Sequence, residues 1–299
     1  MVNIGIDIEG SVGIGDKVQY SALPECFYKC YGIKLIDAKK SWVFDHNPYT
    51  RRDVADFFSL KFKDEEGVDT KGMPCLYSEE KDWVNSNFKK THTLKVNGKI
   101  KHVVIECIWR NFDHITPASR SELFNSILNI NSRENPHLDF PRGPRLYRYE
   151  DPNKAKLDQI AIHVGPSKST RQFIPDYVLK EIKNRYLNYN IIQIGSEKDN
   201  DSPFIDKRGV DIWETIKIIA GSAIFIGVNS GPMNIVNCYP HINKKLILLN
   251  DGEWEKEAFC RFEPLSGRIT PSFGWVDFGW QYYTTDDYDI GRMYSYKRI

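Results

Sequence analysis

Apolar residues alternate along Val2–Ile8 and stop at a glycine-rich loop, Gly10-Ser11-Val12-Gly13-Ile14-Gly15-Asp16. That pattern predicts a strand followed by a turn into a helix, running from about Lys17 to Tyr31, with Pro24 expected to break or kink it. Short strands are expected at Ile33–Ile36 and Trp42–Phe44. Farther on, the β-branched run His102–Trp109 (HVVIECIW) predicts a buried strand. Asn97-Gly98, between Thr93–Val96 and Lys99–His102, is a hairpin signal, because Asn-Gly adopts the left-handed turn that matches strand twist.

The pattern dissolves from Asn131 to Lys156, where four prolines and no apolar period mark a linker or an extended surface segment. A second series then begins. Gln159–Val164 reads as a strand and Gly165–Thr170 as a polar loop. Ile174–Leu187 reads as a helix carrying Val178, Ile182 and Tyr186 on one face. Asn190–Ile194 is a strand ending in Gly195-Ser196-Glu197. Asp211 is the expected N-cap of another helix, with Glu214 three residues on, and Ala223–Val228 and Leu246–Leu249 close the strand series.

Strands alternating with helices imply parallel sheets covered on both faces. The fold class expected is therefore α/β, as two Rossmann-like domains facing across a cleft. The first spans 1–150 and the second 151–299, with the aromatic-rich tail 275–299 crossing back to the first. In such sheets ligands sit beyond the carboxyl ends of the strands. The loops Gly10–Asp16, Gly165–Thr170, Gly195–Glu197 and Asn229–Pro232 all follow strands and are expected to converge.

Composition narrows the classes. Lys+Arg 41 against Asp+Glu 40 in 299 residues excludes a whole-molecule footprint for nucleic acid or an anionic membrane. A local patch stays open at Arg142, Arg145, Arg148, Lys154 and Lys156, interleaved with Tyr147 and Tyr149. It reads either as a polyanion contact or as a solvated linker. The six cysteines are scattered and complete no zinc set, so they are expected reduced and no metal is expected. The sequence holds no apolar run of membrane-span length and no basic signal-peptide start, and the expected location is the cytoplasm.

The strand-end loops carry the chemistry. Asp16 is either a helix N-cap or a general base accepting a proton from a hydroxyl. Gly10, Gly13 and Gly15 do not follow a dinucleotide fingerprint. Ser167, Lys168, Ser169, Thr170 and Arg171 place hydroxyls and two cations together, which suits a diphosphate, although a solvated polar loop would look the same. His163, at a strand end, reads equally as a satisfied core histidine or a ligand contact. Glu197 could accept both hydroxyls of a ribose. Asp199 and Asp201 have the spacing of a metal clamp but lie in a very polar loop, and no metal is assigned to them. Asn229-Ser230-Gly231-Pro232 followed by Met233 is a tight strand-to-helix turn whose free amides could also cradle phosphates.

Taken together, three stretches resemble glycosyltransferase family 9, the heptosyltransferase-like group with the two-domain GT-B fold. GSVGIGDKVQYSALPECF resembles its N-terminal Gly-x-Gly-Asp…Pro-Ala-Leu segment. IAIHVGPSKSTRQFIPDYVLKEI resembles its His-Pro-Gly-Ala…Lys-Arg-Trp-Pro segment. FIGVNSGPMNIVNCYP resembles its Asp-Ser-Gly-Pro-Met-His segment, and DIWETIKIIAGSAIFIG has the spacing of the family's preceding helix and strand. The resemblance is good over 159–240 and fair over 2–27.

It implies Asp16 as the catalytic base, on an acceptor loop with Gly13 and Gly15. Ser167, Ser169 or Thr170, with Arg171 or Lys168, are implied to hold the donor diphosphate, and Glu197 the donor ribose. Ser230, Gly231, Pro232 and Met233 form the implied phosphate cap. Asn229 and Asn234 stand where the family has Asp and His, which bears on the donor sugar and on catalysis.

The expected function is metal-independent, inverting transfer of a sugar from a nucleotide-diphosphate sugar, a co-substrate, with no cofactor. The acceptor hydroxyl belongs to a glycan, a protein or a modified nucleic-acid base. The alternatives are a nucleotide-sugar epimerase or hydrolase on the same fold, or a catalytically weak nucleotide-sugar-binding protein.

Overall fold

The computed structural model describes residues 2–8, 13–37, 39–52, 63–64, 75–88, 92–96, 99–104, 144–148, 156–165, 173–174, 176–228, 230–239, 241–246, 281–282 and 294–295. The chain divides into two compact units, Met1–Arg148 and Tyr149–Ile299.

In the first unit the chain runs β1 (Gly5–Asp7), α1 (Ile14–Gln19), α2 (Leu23–Tyr31), β2 (Leu35–Ile36) and β3 (Thr50–Arg51). It continues through β4 (Lys63–Asp64), β5 (Cys75–Ser78), α3 (Lys81–Asn87), β6 (His92–Val96) and β7 (Lys99–Val104). These strands form one sheet in the order β3-β2-β1-β5-β7-β6-β4. Only β1, β2 and β3 are parallel; β5, β7, β6 and β4 pair antiparallel. The expectation of a parallel sheet here therefore gives way to a mixed one. The antiparallel half is built by the hairpin at Asn97-Gly98, where Val96 pairs with Lys99 across a two-residue connection. A hairpin needs no crossover helix, which is why this half escapes the α/β alternation.

The helix expected from Lys17 to Tyr31 is two helices. α1 begins three residues earlier, so Asp16 lies within the first turn and is not the N-cap. Pro24 falls in the first turn of α2, where its missing N–H breaks no helical bond. Gly32 ends α2 at φ 67, with its N–H donating to the Tyr28 carbonyl. Trp42–Phe44, expected as a strand, is a 3-10 turn that buries Val43 and Phe44. Three apolar residues are too few to display a period.

Of the stretch expected as a linker, 131–143 and 149–155 lie outside the described residues, while 144–148 are tied into the first unit. Leu146 is 1% exposed, and the Arg145 N–H donates to Ser21 Oγ at 2.8 Å. Buried Glu25 on α2 accepts from Arg145 at 2.9 Å, from the Tyr147 hydroxyl at 2.6 Å and from Lys29 at 2.7 Å. Arg145 and Tyr147 are thereby engaged with a carboxylate of their own unit, which weakens the polyanion reading.

Burial pushes the Glu25 carboxyl up, but the bonds from Lys29, Tyr147 and Arg145 outweigh it and hold it below the usual carboxylate range. A depressed acid stabilises the fold above its unfolded pKa and loses that contribution as the pH falls through its folded value. Stability of the native chain is thus expected to fall as the pH drops below about 4. Urea midpoints measured against pH should fall less steeply in that range for Glu25→Gln; parallel curves would show the network contributes nothing.

In the second unit the elements are β8 (Lys156–His163), α4 (Asp176–Arg185), β9 (Asn190–Ile194), β10 (Ile205–Asp206), α5 (Ile212–Ala220), β11 (Ser222–Gly227), α6 (Gly231–Val236) and β12 (Asn243–Leu246). Five strands form an all-parallel sheet in the order β10-β9-β8-β11-β12. β12 lies three residues before the expected Leu246–Leu249, of which 247–249 fall outside the described residues. The core joins Ile160, Ile162 and Val164 of the β8 segment and Ile224, Ile226 and Val228 of the β11 segment to Val178, Leu179 and Ile182 of α4. Each such side chain, once buried, contributes roughly 1.5–3 kcal/mol. Asp211 caps α5 as expected, accepting from the N–H groups of Trp213 and Glu214 at 2.8 and 3.1 Å. In the tail, β13 (Gln281–Tyr282) and β14 (Tyr294–Ser295) pair as a two-stranded antiparallel ribbon; the rest of 275–299 lies outside the described residues. Among the described residues no helix is long and apolar enough to cross a membrane.

Candidate functional site at the carboxyl edge of the parallel sheet

Chain order and strand order together locate the ligand-binding edge. From β8 the chain moves outward to β9 and β10, then returns to the other side of β8 for β11 and β12. The order reverses between β8 and β11, and loops leaving adjacent strands at such a point diverge and open a crevice at the carboxyl edge. The residues ending those two strands are His163 and Gly227, which are register partners.

His163 is 6% exposed and bonded on both ring nitrogens. Its Nδ1 lies 2.8 Å from Ser230 Oγ and its Nε2 3.1 Å from Asp199 Oδ2. Ser230 precedes α6 and is half-buried; its Oγ also lies 3.1 Å from the Val228 carbonyl. Asp199 is 8% exposed and accepts the Ser196 N–H at 2.9 Å through the same Oδ2. A hydroxyl, an imidazole and a carboxylate thus form one line across the switch point.

A glycine on each side borders the line, and one of them makes room for it. A Cβ on Gly195 would stand 2.1 Å from Asp199 Oδ2 and 2.9 Å from His163 Cδ2, and Gly195 has φ +132. A Cβ on Gly227 would stand 2.7 Å from the Phe225 ring and 3.4 Å from His163 Cβ. Gly195 excludes a side chain so that the His163 ring can lie against the backbone, whereas Gly227 leaves room for the Phe225 ring. The loop that delivers Asp199 is tied down. The Asn200 N–H donates to the Gly165 carbonyl at 3.0 Å and the Gly209 N–H to the Gly195 carbonyl at 2.9 Å. Arg208 donates to the Asp199 carbonyl at 2.6 Å and pairs with Asp201 and Asp206. Hydrogen bonds from Arg208 hold the exposed Asp206 carboxyl down to about 2.

Asp199 and Asp201, which share the spacing of a metal clamp, therefore point to different partners. Among the described residues no cluster of metal-ligating side chains occurs. Glu197 is exposed on the same loop, packed beside Gly209. Asn234 is 8% exposed and its amide nitrogen donates to the Ser230 carbonyl at 3.1 Å, which fastens the turn into α6. Gly231 and Pro232 are half-buried and Met233 is buried, all within α6. α6 is only six residues, so few aligned peptide dipoles support its start. Asp16, Gly13 and Gly15 belong to the first unit, at and before α1. Ser167, Lys168, Ser169, Thr170, Arg171 and Asn229 lie outside the described residues.

A second charged set was not anticipated from sequence. The carboxyl ends of β1, β2 and β3 bring together Asp7, Asp37 and Arg52. Asp7 pairs with Lys39, and Arg52 with Asp37 at 2.9 Å and with Asp45. Asp37 is 1% exposed and also accepts the Ser41 N–H at 3.1 Å. Opposite charges at these strand ends pair with one another and pin the loops that follow. Only the parallel register of three short strands reveals the set; residues 7, 37 and 52 carry no common spacing.

The second unit is thus defined as a doubly wound parallel α/β unit with a built polar line at its switch point. No protein-family model matches the chain, and no curated protein matches it. Among solved structures it is similar to a glycosyl transferase family 9 protein from Veillonella parvula DSM 2008. The identity is 11% and the TM-score 0.39, over 60% of this chain and 52% of that one. The chain therefore spans about half the length of that structure, and a likeness of this grade carries no argument about activity.

Proposed function

We propose that the chain is a glycosyltransferase that uses a nucleoside-diphosphate sugar and binds the donor at the carboxyl edge of the second unit. The observation that supports this most is the line Asp199–His163–Ser230 lying at the switch point of a parallel sheet, where nucleotides sit in doubly wound units. In this reading Ser230 and the amides of Gly231 and Met233 meet the diphosphate. Pro232, lacking an N–H, shapes the turn between them. Ser167, Ser169 and Thr170 add hydroxyls, and Lys168 and Arg171 neutralise the leaving diphosphate in place of a divalent metal. Glu197 takes the ribose, and Asn229 and Asn234 tune the sugar end. Asp16 removes the proton from the acceptor hydroxyl as that oxygen attacks the anomeric carbon. The acceptor class is a glycan, a protein or a nucleic-acid base.

Incubating the protein with a panel of nucleoside-diphosphate sugars, with and without acceptor extracts, tests the reading. Acceptor-dependent release of nucleoside diphosphate is the expected result. Donor binding with no release in any mixture would instead support a sugar-nucleotide-binding protein.

One observation favours a hydrolase as the second reading. Ser230, His163 and Asp199 are ordered like a nucleophile, its base and the group that orients the base. Release that needs no acceptor would point to the hydrolase, and covalent chemistry separates the two readings independently. A fluorophosphonate in excess is expected to leave Ser230 unlabelled by mass spectrometry. An adduct on Ser230 that disappears in His163→Gln would establish the hydrolase and overturn the transferase.

A further inference from the structure

We propose that Gly209, in the turn between β10 and α5, is a positioning residue for Glu197 and thereby sets how strictly the site requires a ribose on its donor. The inference rests on the donor reading above and deepens one part of it, the nucleoside end.

The sheet order β10-β9-β8-β11 sets the loop after β9, which carries Glu197, beside the β8–β11 switch point, and the turn after β10 outside that loop. The Glu197 side chain is exposed, and among the described residues no hydrogen bond or ion pair engages its carboxylate. Both of its oxygens are therefore left to accept from a ligand, and two adjacent hydroxyls would satisfy them together. Such a contact needs the carboxylate in one place. An exposed glutamate on its own samples many rotamers, and fixing it costs entropy at the moment of binding.

The support comes from the bare Cα of Gly209. A Cβ there would stand 2.4 Å from Glu197 Cγ, 3.0 Å from Cδ and 2.7 Å from Oε1. The outer half of the Glu197 side chain thus occupies the space that any other residue at 209 would fill. The backbone is left-handed as well, at φ +72, which favours glycine independently.

This shelf is tied to the Glu197 loop on both sides of Glu197. The Lys207 N–H donates to the Gln193 carbonyl at 2.8 Å and the Gly209 N–H to the Gly195 carbonyl at 2.9 Å, which carries the pairing of β10 on β9 past the end of the strand. Beyond Glu197, the Arg208 guanidinium donates to the Asp199 carbonyl at 2.6 Å. Its pairs with Asp201 and Asp206 involve exposed carboxylates, and such pairs add little stability. These bonds bracket Glu197 without touching its side chain, so the carboxylate is placed and still unspent.

The test uses the full chain and whichever of UDP-glucose, ADP-glucose, GDP-mannose and CDP-glucose binds it by calorimetry, compared with the 2′,3′-dideoxyribose form of the same donor. The wild type is expected to bind the ribose form about tenfold or more tightly, the effect of hydrogen bonds to a charged group. Gly209→Ala should weaken the ribose form most of the way to the dideoxy form and leave the dideoxy affinity where it was. Glu197→Ala should do the same, and combining the two substitutions should add nothing, because both act through one contact. Gly209→Asn repeats the measurement with a residue that tolerates a left-handed backbone and still carries a Cβ, should alanine unfold the turn.

Equal binding of the two forms by the wild type, or undiminished discrimination in both glycine variants, overturns the proposal and leaves the diphosphate part of the donor reading standing. Equal weakening of both forms in the variants overturns it too, because the turn would then be structural only. Failure of every donor to bind the wild type overturns both readings.

Discussion

On the proposed transferase reading, Asp16→Asn is expected to slow sugar transfer by about 10²–10⁴-fold while leaving donor binding unchanged. Asparagine keeps the size of the side chain and removes its ability to accept a proton. A thousandfold loss corresponds to about 4 kcal/mol of transition-state stabilisation. Asp16 lies in the first turn of α1, immediately after the glycine-rich loop. Because it is not the N-cap, substitution at this position does not remove a cap, and folding should be preserved. The measurement is kcat at saturating donor and acceptor, with donor affinity taken separately by calorimetry. The acidic limb of the wild-type pH–rate profile, which reports loss of the base's charge, should disappear in the variant. A variant that transfers as fast as the parent would remove Asp16 from the mechanism. A variant with weakened donor affinity and unchanged kcat would move Asp16 to a binding role.

The second large effect is structural. Gly195→Ala is expected to destabilise the second unit by roughly 3 kcal/mol, the sum of backbone strain and a core overlap. The φ of +132 is one that L side chains rarely adopt, and the new methyl would stand 2.1 Å from Asp199 Oδ2. Relief requires Asp199 to leave His163, so on the proposed donor reading loss of donor binding should accompany the loss of stability. Gly209→Ala, on the same loop, provides the comparison. There φ is +72 and the colliding atoms belong to the exposed, flexible side chain of Glu197. It can swing away, and the cost should be about 1 kcal/mol, mostly backbone. Denaturant midpoints followed by a probe in the second unit would resolve the two. Equal losses would mean that the approach of Gly195 to Asp199 and His163 is not a constraint on the fold.

Much of the second unit was legible because its signals are local. A buried strand in a parallel sheet shows as a short continuous apolar run, and Gln159–Val164 and Ala223–Val228 have that form. The α5 cap at Asp211 needs only one side chain and the next three residues, and it formed as expected. The Asn97-Gly98 hairpin is equally local, and its register follows from the two-residue connection. The first unit was less legible for the same reason. Strands of two or three residues, such as β2 and β3, carry too little pattern to declare their direction. The switch from parallel to antiparallel pairing beside β1 is a choice among distant partners.

The site divides in the same way. Sequence alone marked His163 and Ser230 as strand-end residues and left His163 undecided between core and ligand. It saw Asp199 only through its spacing to Asp201. By itself the sequence determined where strands end, where helices start and which residue types stand at those ends, because these depend on neighbours a few positions away. Only the tertiary structure decided that His163 and Ser230, 67 positions apart, and His163 and Asp199, 36 apart, share hydrogen bonds. Those bonds exist because parallel pairing sets β8 beside both β9 and β11, and because the glycine at 195 leaves room for the ring beside Asp199.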